Sequence, residues 1–221
     1  MKCIQFLNYE KSQKEKFEIS KKEFETNKDE FELKRKIGEN DNLICKLIQN
    51  DSIIEFIKYV NQTNISLSSQ INQSIFETNC FLLDKNPTLI EYAAFFGSIQ
   101  IFKYLKLNQA KLNPSLGIYA IHGSNAEIIH LLEENKIITL ENEYKNCLIE
   151  SIKCHHNNFG NYFQTTILNF NSNENLEMII LNYLKYYNFI DLPNKFDVND
   201  FKIFYYLCKY DYANLVRFFL S

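Results

Sequence analysis

The stretch EYAAFFGSIQIFKYL, residues 91–105, decides how the chain is read. Placed above IYAIHGSNAEIIHLL, residues 118–132, it matches in register at an offset of 27 residues. Ala93 falls on Ala120, Ile101 on Ile128, Phe102 on Ile129 and Leu105 on Leu132. The leaders match at the same offset, with Asn86-Pro87-Thr88-Leu89 over Asn113-Pro114-Ser115-Leu116. A proline followed by a hydroxyl residue reads as a turn feeding a helix start, where the hydroxyl can bond orphan amides. Each copy then reads as a short helix, a tight turn and a second helix with apolar residues at i, i+3 and i+4. Small residues at Ala93, Ala94 and Ala120 let neighbouring first helices pack closely. Two bulky rings, Phe95 and Phe96, stand directly before the Gly97-Ser98 turn.

Further copies extend the pattern. LIESIKCHHNNFGNYF, residues 148–163, places Ser151 under Ala120 at an offset of 31 and His155 at the inter-helix turn. FYYLCKYDYANLVRFFL, residues 204–220, places Asp211 under Gly97, Leu215 under Ile101 and Phe219 under Leu105 at an offset of 114. Upstream, LICKLIQNDSIIEFIKYV has the same outline, with a polar turn at Asn50-Asp51-Ser52. NLEMIILNYLKYY reads as one more helix between the third copy and the last. A unit of roughly 27–33 residues cannot bury its apolar face alone and must stack on neighbours. The expected fold class is all-α, a solenoid of short helix-turn-helix repeats with a divergent N-terminal helical part. The expected partition is a charged helical segment over 1–36, a divergent helical domain over 37–85, and repeats over 86–221. Those repeats divide into about 86–112, 113–140 and 141–168, an irregular one at 169–198, and an incomplete one at 199–221.

The unit resembles the ankyrin repeat. PTLIEYAAFFGSIQIFKYL follows that family's order of hydroxyl, apolar pair, double alanine, Gly-polar turn and apolar second helix. It departs where Glu91 replaces the usual His, where the Pro is shifted, and where the hairpin between repeats is shortened. From about Ile37 to Ser221 the wording is similar to a divergent group of ankyrin-repeat proteins, expanded in parasitic protists, that carry an N-terminal domain of unknown function. The stretches TLIEYAAFFGSIQIFKYL, IYAIHGSNAEIIHLLEENK, SIKCHHN and FYYLCKYDY carry that resemblance. It implies an architecture and leaves the biochemistry open, because a fold does not confer a function. The last copy ends at Phe218-Phe219-Leu220-Ser221 without a polar cap. Solenoid ends need cover, so truncation, a partner chain or a homo-oligomer through this repeat all remain open.

Composition excludes several classes. The 221 residues carry a net charge of -3, 46% hydrophobic and 23% charged residues, with only five Gly and three Pro. That is a globular, helix-favouring chain without the basic field that nucleic acid requires. The basic run Lys34-Arg35-Lys36 is flanked by Glu30, Glu32 and Glu39, which cancel its field. No apolar run reaches the roughly 18–20 residues of a membrane helix, and Asn8, Glu10 and Lys11 interrupt the start before a secretory h-region forms. Six scattered Cys (3, 45, 80, 147, 154, 208) then read as reduced thiols in a cytoplasmic protein. The sequons at Asn61, Asn64 and Asn72 read as chance in so Asn-rich a chain. The segment EKSQKEKFEISKKEFETNKDEFELKRK spaces Phe17, Phe24 and Phe31 by seven. It is read as a solvated helix with one apolar stripe, or as a dimerisation or partner helix.

Chemistry finds little purchase. Cys147, Cys154, His155 and His156 form the one cluster that suggests metal in sequence. On one helix Cys147 and Cys154 would rise about 10.5 Å apart, against about 4 Å for two thiolates on one zinc. No metal site and no cofactor are therefore expected. His122 and His130 lack a Cys or Ser plus a carboxylate at motif spacing, and no nucleophile elbow or Gly-rich phosphate loop occurs. Glu133-Glu134 and Glu141 with Glu143 read as solvated charge, and the chain is expected not to be an enzyme; the alternative readings are a self-associating scaffold and an enzyme or metal protein using the His/Cys cluster. The residues closing the first helices are Phe95-Phe96, His122-Gly123, Lys153-Cys154 and Lys209-Tyr210. In the ankyrin resemblance these positions face the concave groove. Phe95, Phe96, His122, Lys153, Lys209 and Tyr210 are the candidate protein-binding groove, a hot-spot composition. The other reading packs the Phe pair on the N-terminal part, near Ile75, Phe76, Phe81 and Leu82.

Overall fold

The computed structural model describes residues 2–83, 85–168, 173–189 and 201–220. Every regular element among them is an α-helix, and the isolated extended pairing is an antiparallel bridge between Gln70 and Thr88. Contacts divide the chain into two compact units, Met1–Ala93 with Gln100–Ala110, and Ala94–Ile99 with Lys111–Ser221.

The first unit begins with α1 (Lys2–Thr26) and α2 (Lys28–Ile37). The charged segment breaks at Asn27, whose extended backbone and side chain, accepting the Glu30 N–H, start a new helix. The phenylalanine stripe is graded in burial: Phe17 is 66% exposed, Phe24 40% and Phe31 9%. Phe31 is the anchor, edge-on to Phe24 at 5.6 Å and to Phe76 at 5.4 Å. Next come α3 (Leu43–Gln49) and α4 (Ile53–Thr63), packed as a pair. The stretches 64–83 and 85–88 are irregular, yet Ile71, Phe76 and Leu82 are buried. Polar ties hold it: Gly38 O accepts both the N–H and the hydroxyl of Thr78, and Ser74 donates to Asp41.

α5 (Leu89–Phe95) opens with a reciprocal cap. Thr88 N–H donates to Glu91 Oε2 at 2.9 Å, while Glu91 N–H donates to Thr88 Oγ1 at 3.4 Å. Glu91, the departure from the ankyrin wording, thus has a local reason. α6 (Ile99–Leu107) is capped from the α3–α4 turn: the Asp51 carboxylate accepts Gln100 N–H at 3.0 Å and Ile101 N–H at 2.9 Å.

The second unit continues with α7 (Ser115–Gly123), α8 (Ala126–Glu134), α9 (Glu141–Lys153), α10 (Asn157–Leu168), α11 (Asn173–Lys185), α12 (Phe201–Lys209) and α13 (Ala213–Leu220). α7 packs on α8 and α9, α9 on α10 and α11, and α11 on α12. The aligned small residues Ala93, Ala120 and Ser151 are each 0% exposed. So are the aligned second-helix residues Ile101, Ile128 and Leu105, each such side chain contributing roughly 1.5–3 kcal/mol by burial.

Backbone torsions repeat in the same register. The turn between paired helices carries one left-handed residue: Asp51 (φ 48°), Gly97 (66°), Ser124 (48°), His155 (58°) and Asp211 (58°). These last four are the positions aligned at offsets of 27, 31 and 114. Second helices end alike. Ala110 N–H donates to Leu105 O and Ile137 N–H to Leu132 O across left-handed Gln109 and Lys136, the six-to-one closure of a Schellman motif. Asn108 and Asn135 donate side-chain amides to Tyr104 O and Leu131 O at the same offset. The irregular repeat expected over 169–198 lies largely outside the described residues. Ser221 and the side chains of Phe218, Phe219 and Leu220, on which the C-terminal association would depend, also lie outside them.

Candidate functional site

The second unit brings the ends of successive first helices together. A Cβ on Gly123 would stand 2.6 Å from the Gly97 nitrogen and closer still to the Ala94 carbonyl oxygen. Only a hydrogen fits between these backbones. Gly97, at φ 66°, adopts the left-handed turn that glycine enters without penalty. Asn125 fastens the contact: its amide donates to Gly97 O at 3.0 Å, and its oxygen accepts Glu127 and Ile128 N–H at the start of α8.

That approach lays Phe95 flat on His122, ring centroids 4.9 Å apart and planes 26° apart. Phe96 stands edge-on to Phe95 at 5.0 Å. Phe95 is 7% exposed and Phe96 half-buried, so the first ring is a floor and the second is partly open. The third member of the row lies on the last turn of α9, where Glu150, Lys153 and Cys154 share a face at i, i+3 and i+4. His122 Nε2 donates to Glu150 Oε1 at 2.9 Å, and Lys153 Nζ reaches the same oxygen at 3.1 Å. Cys154 Sγ lies 3.7 Å from His122 Nδ1, 3.8 Å from Nε2 and 3.9 Å from Glu150 Oε1.

The electrostatics follow from this packing. Burial works against charge on Glu150, whose side chain is 12% exposed, but the bonds from His122 and Lys153 outweigh it and hold its carboxyl below the ordinary value. Burial likewise opposes the Lys153 charge, and Glu150 outweighs it, raising the ammonium above its usual value. The pair is therefore ionised at neutral pH. Cys147 differs: buried at 1% exposure against Gly117, its thiol is pushed up to about 12, chiefly by burial.

The four residues that suggested metal in sequence do not converge. Cys147, on α9, is buried against Gly117 of α7, and Cys154 turns toward His122. His155 and His156 line a cleft of about 650 Å³ with Ile129, His130, Phe159 and Tyr162. In that neighbourhood Tyr162 donates its hydroxyl to Glu133 at 2.8 Å, and Glu143 accepts Thr139 and Leu140 N–H at the start of α9. Among the described residues the trio that does converge, His122, Glu150 and Cys154, has its ligand atoms within 4.8 Å of one another. Sequence reasoning reached His122 and Cys154 as row positions and missed Glu150, although its i+4 relation to Cys154 was on view.

Lys209 and Tyr210 belong to a separate aromatic cluster at the C-terminal end of α12. Lys209 Nζ stands 5.9, 5.4 and 5.7 Å from the ring centroids of Tyr205, Tyr206 and Tyr210. Tyr206 and Tyr210 stack at 5.9 Å over a small core of Ile180, Leu184, Ile203 and Leu207. No family model, no curated protein and no solved structure matches the chain.

Proposed function

We propose that the chain is a non-catalytic protein-recognition module, an ankyrin-like stack of helix-turn-helix units that binds a partner protein along the ends of its first helices. The observation that carries the reading is the row itself. A close backbone contact, Gly97 against Gly123, brings Phe95 and His122, which close successive first helices, into touch. The backbone repeats while the side chains vary, which is how a repeat array encodes a recognition surface. Phe95 and His122 form the floor, and Phe96 and Lys153 offer an aromatic edge and a cation to a partner. Lys209 and Tyr210 supply a second contact of the same composition. The exposed thiols Cys80 and Cys208 suit a reducing, cytoplasmic setting.

Affinity capture with the purified chain tests the proposal. The Phe96→Ala/Lys153→Ala double variant should keep the wild-type circular dichroism and a cooperative, modestly lowered melting transition, and lose the captured partner. A Glu134→Ala control, on the exposed end of α8, should retain it. A folded double variant that captures the same partner at undiminished yield would refute the row as the binding surface.

A further inference from the structure

We propose that His122, Glu150 and Cys154 form a binding site for a zinc-class divalent cation, with a fourth coordination position left for water or an exogenous ligand. The inference does not rest on protein recognition. It rests on the size, chemistry and polarity of the site.

Size comes first. Zinc holds nitrogen and oxygen ligands at about 2.0–2.2 Å and thiolate sulfur at about 2.3 Å, so tetrahedral ligand atoms stand about 3.4–3.6 Å apart. The triangle of His122 Nε2, Glu150 Oε1 and Cys154 Sγ has sides of 2.9, 3.8 and 3.9 Å. Its circumscribed circle has a radius of about 2.1 Å, close to the roughly 2.0 Å of one face of such a tetrahedron. Loading requires the His–Glu edge to open by about half an ångström and the two sulfur edges to close by about 0.3 Å. Phe95 stacks on the imidazole and limits its rotation, so the ring is already presented.

The donor set is one imidazole, one carboxylate and one thiolate, a mixture that suits zinc and excludes the all-oxygen preference of magnesium and calcium. On loading, the Cys154 thiol releases one proton to solvent. The Nε2 proton that bonded Glu150 leaves that nitrogen, by solvent exchange to Nδ1, so that the Nε2 lone pair can face the metal. Carboxylate and thiolate then neutralise the two positive charges of the ion, and Lys153, whose side chain is 42% exposed, moves off the carboxylate into water.

Polarity separates a cation site from a thiol nucleophile. His122 lies in the last turn of α7, and Cys154 is the C-cap of α9. Both stand at the negative ends of helix dipoles, which favour a cation. A cysteine nucleophile is activated by the opposite end, where amides stabilise its thiolate.

Cobalt substitution tests the site on the purified, chelator-stripped chain in a non-thiol reductant. One equivalent of Co²⁺ should give a thiolate-to-cobalt charge-transfer band, and one equivalent of Zn²⁺ should abolish it. Cys154→Ser should remove the band and weaken zinc at least about 100-fold by competition with a chromophoric chelator. Glu150→Gln should weaken zinc while keeping the band, which separates ligand loss from misfolding. His156→Ala and Cys208→Ser should bind as wild type. Absence of the band at saturating Co²⁺ would overturn the proposal. So would a band that survives Cys154→Ser or vanishes in Cys208→Ser. The assay contains no partner protein, so its failure leaves the recognition reading to its own test.

Discussion

Replacing Gly123 by alanine adds one methyl group where two backbones meet. The new Cβ would stand 2.6 Å from Gly97 N and nearer to Ala94 O, inside any carbon–heteroatom contact. Neither obstacle is a side chain that can change rotamer, so the two turns must separate. Overpacking against a rigid neighbour costs typically 1–3 kcal/mol, and separation also strains the Asn125–Gly97 bond. A loss of about 3 kcal/mol is expected, which for a chain of this size lowers the melting temperature by roughly 6–12 °C. Gly160, inside α10, is the internal control. Its added Cβ would meet only Tyr183 OH at 3.5 Å, an ordinary contact. Gly160→Ala should therefore gain roughly 0.5–1 kcal/mol of helix propensity and raise the melting temperature by roughly 1–4 °C. Thermal unfolding followed by circular dichroism reads both variants. Opposite signs support the backbone contact, and a Gly123→Ala change within roughly 0.5 kcal/mol of wild type would refute it.

Asn125→Ala removes the cap of α8 and the bond to Gly97 together, and urea denaturation should show a loss of about 1–2 kcal/mol. Asp41 gives a pH signature. Burial opposes its charge, but Ser74 at 2.8 Å and Lys34 at 3.1 Å outweigh that and hold its carboxyl below the ordinary value. Its contribution is therefore present above the unfolded value and lost as pH falls through the folded one. Asp41→Asn should cost about 1 kcal/mol at pH 7, and the difference from wild type should shrink below about pH 4. Thiol labelling read by mass spectrometry should modify exposed Cys80 and Cys208 first. Cys45 and Cys147, each pushed up to about 12 chiefly by burial, should react only on unfolding.

The helix-turn-helix register was legible because its causes are local. A left-handed turn residue, a small residue facing the neighbouring helix and an i, i+3, i+4 stripe each leave a mark at fixed spacing. Hence Gly97, Ser124, His155 and Asp211 could be aligned before their torsions were known. The His122–Glu150–Cys154 contact was not legible. Alignment compares like positions, and Glu150 lies one helical turn above the row, so it meets His122 only when α9 packs against α7. The break at Asn27 was hidden for another reason: charged helix formers surround it, and its capping role shows only when Asn27 accepts the Glu30 N–H. For Phe95 the sequence left two readings, a groove contact and packing on the N-terminal part. Only the glycine-to-glycine approach reveals that His122 covers its face.

Site-specific photo-crosslinking on the full chain decides whether the row is a recognition surface. A photoreactive phenylalanine analogue at position 96 or 153 should capture a defined partner, and the same analogue at Glu134 or Lys136, exposed at the end of α8, should not. Capture from 134 and 136 alone, with positions 96 and 153 silent in folded protein, would contradict the account.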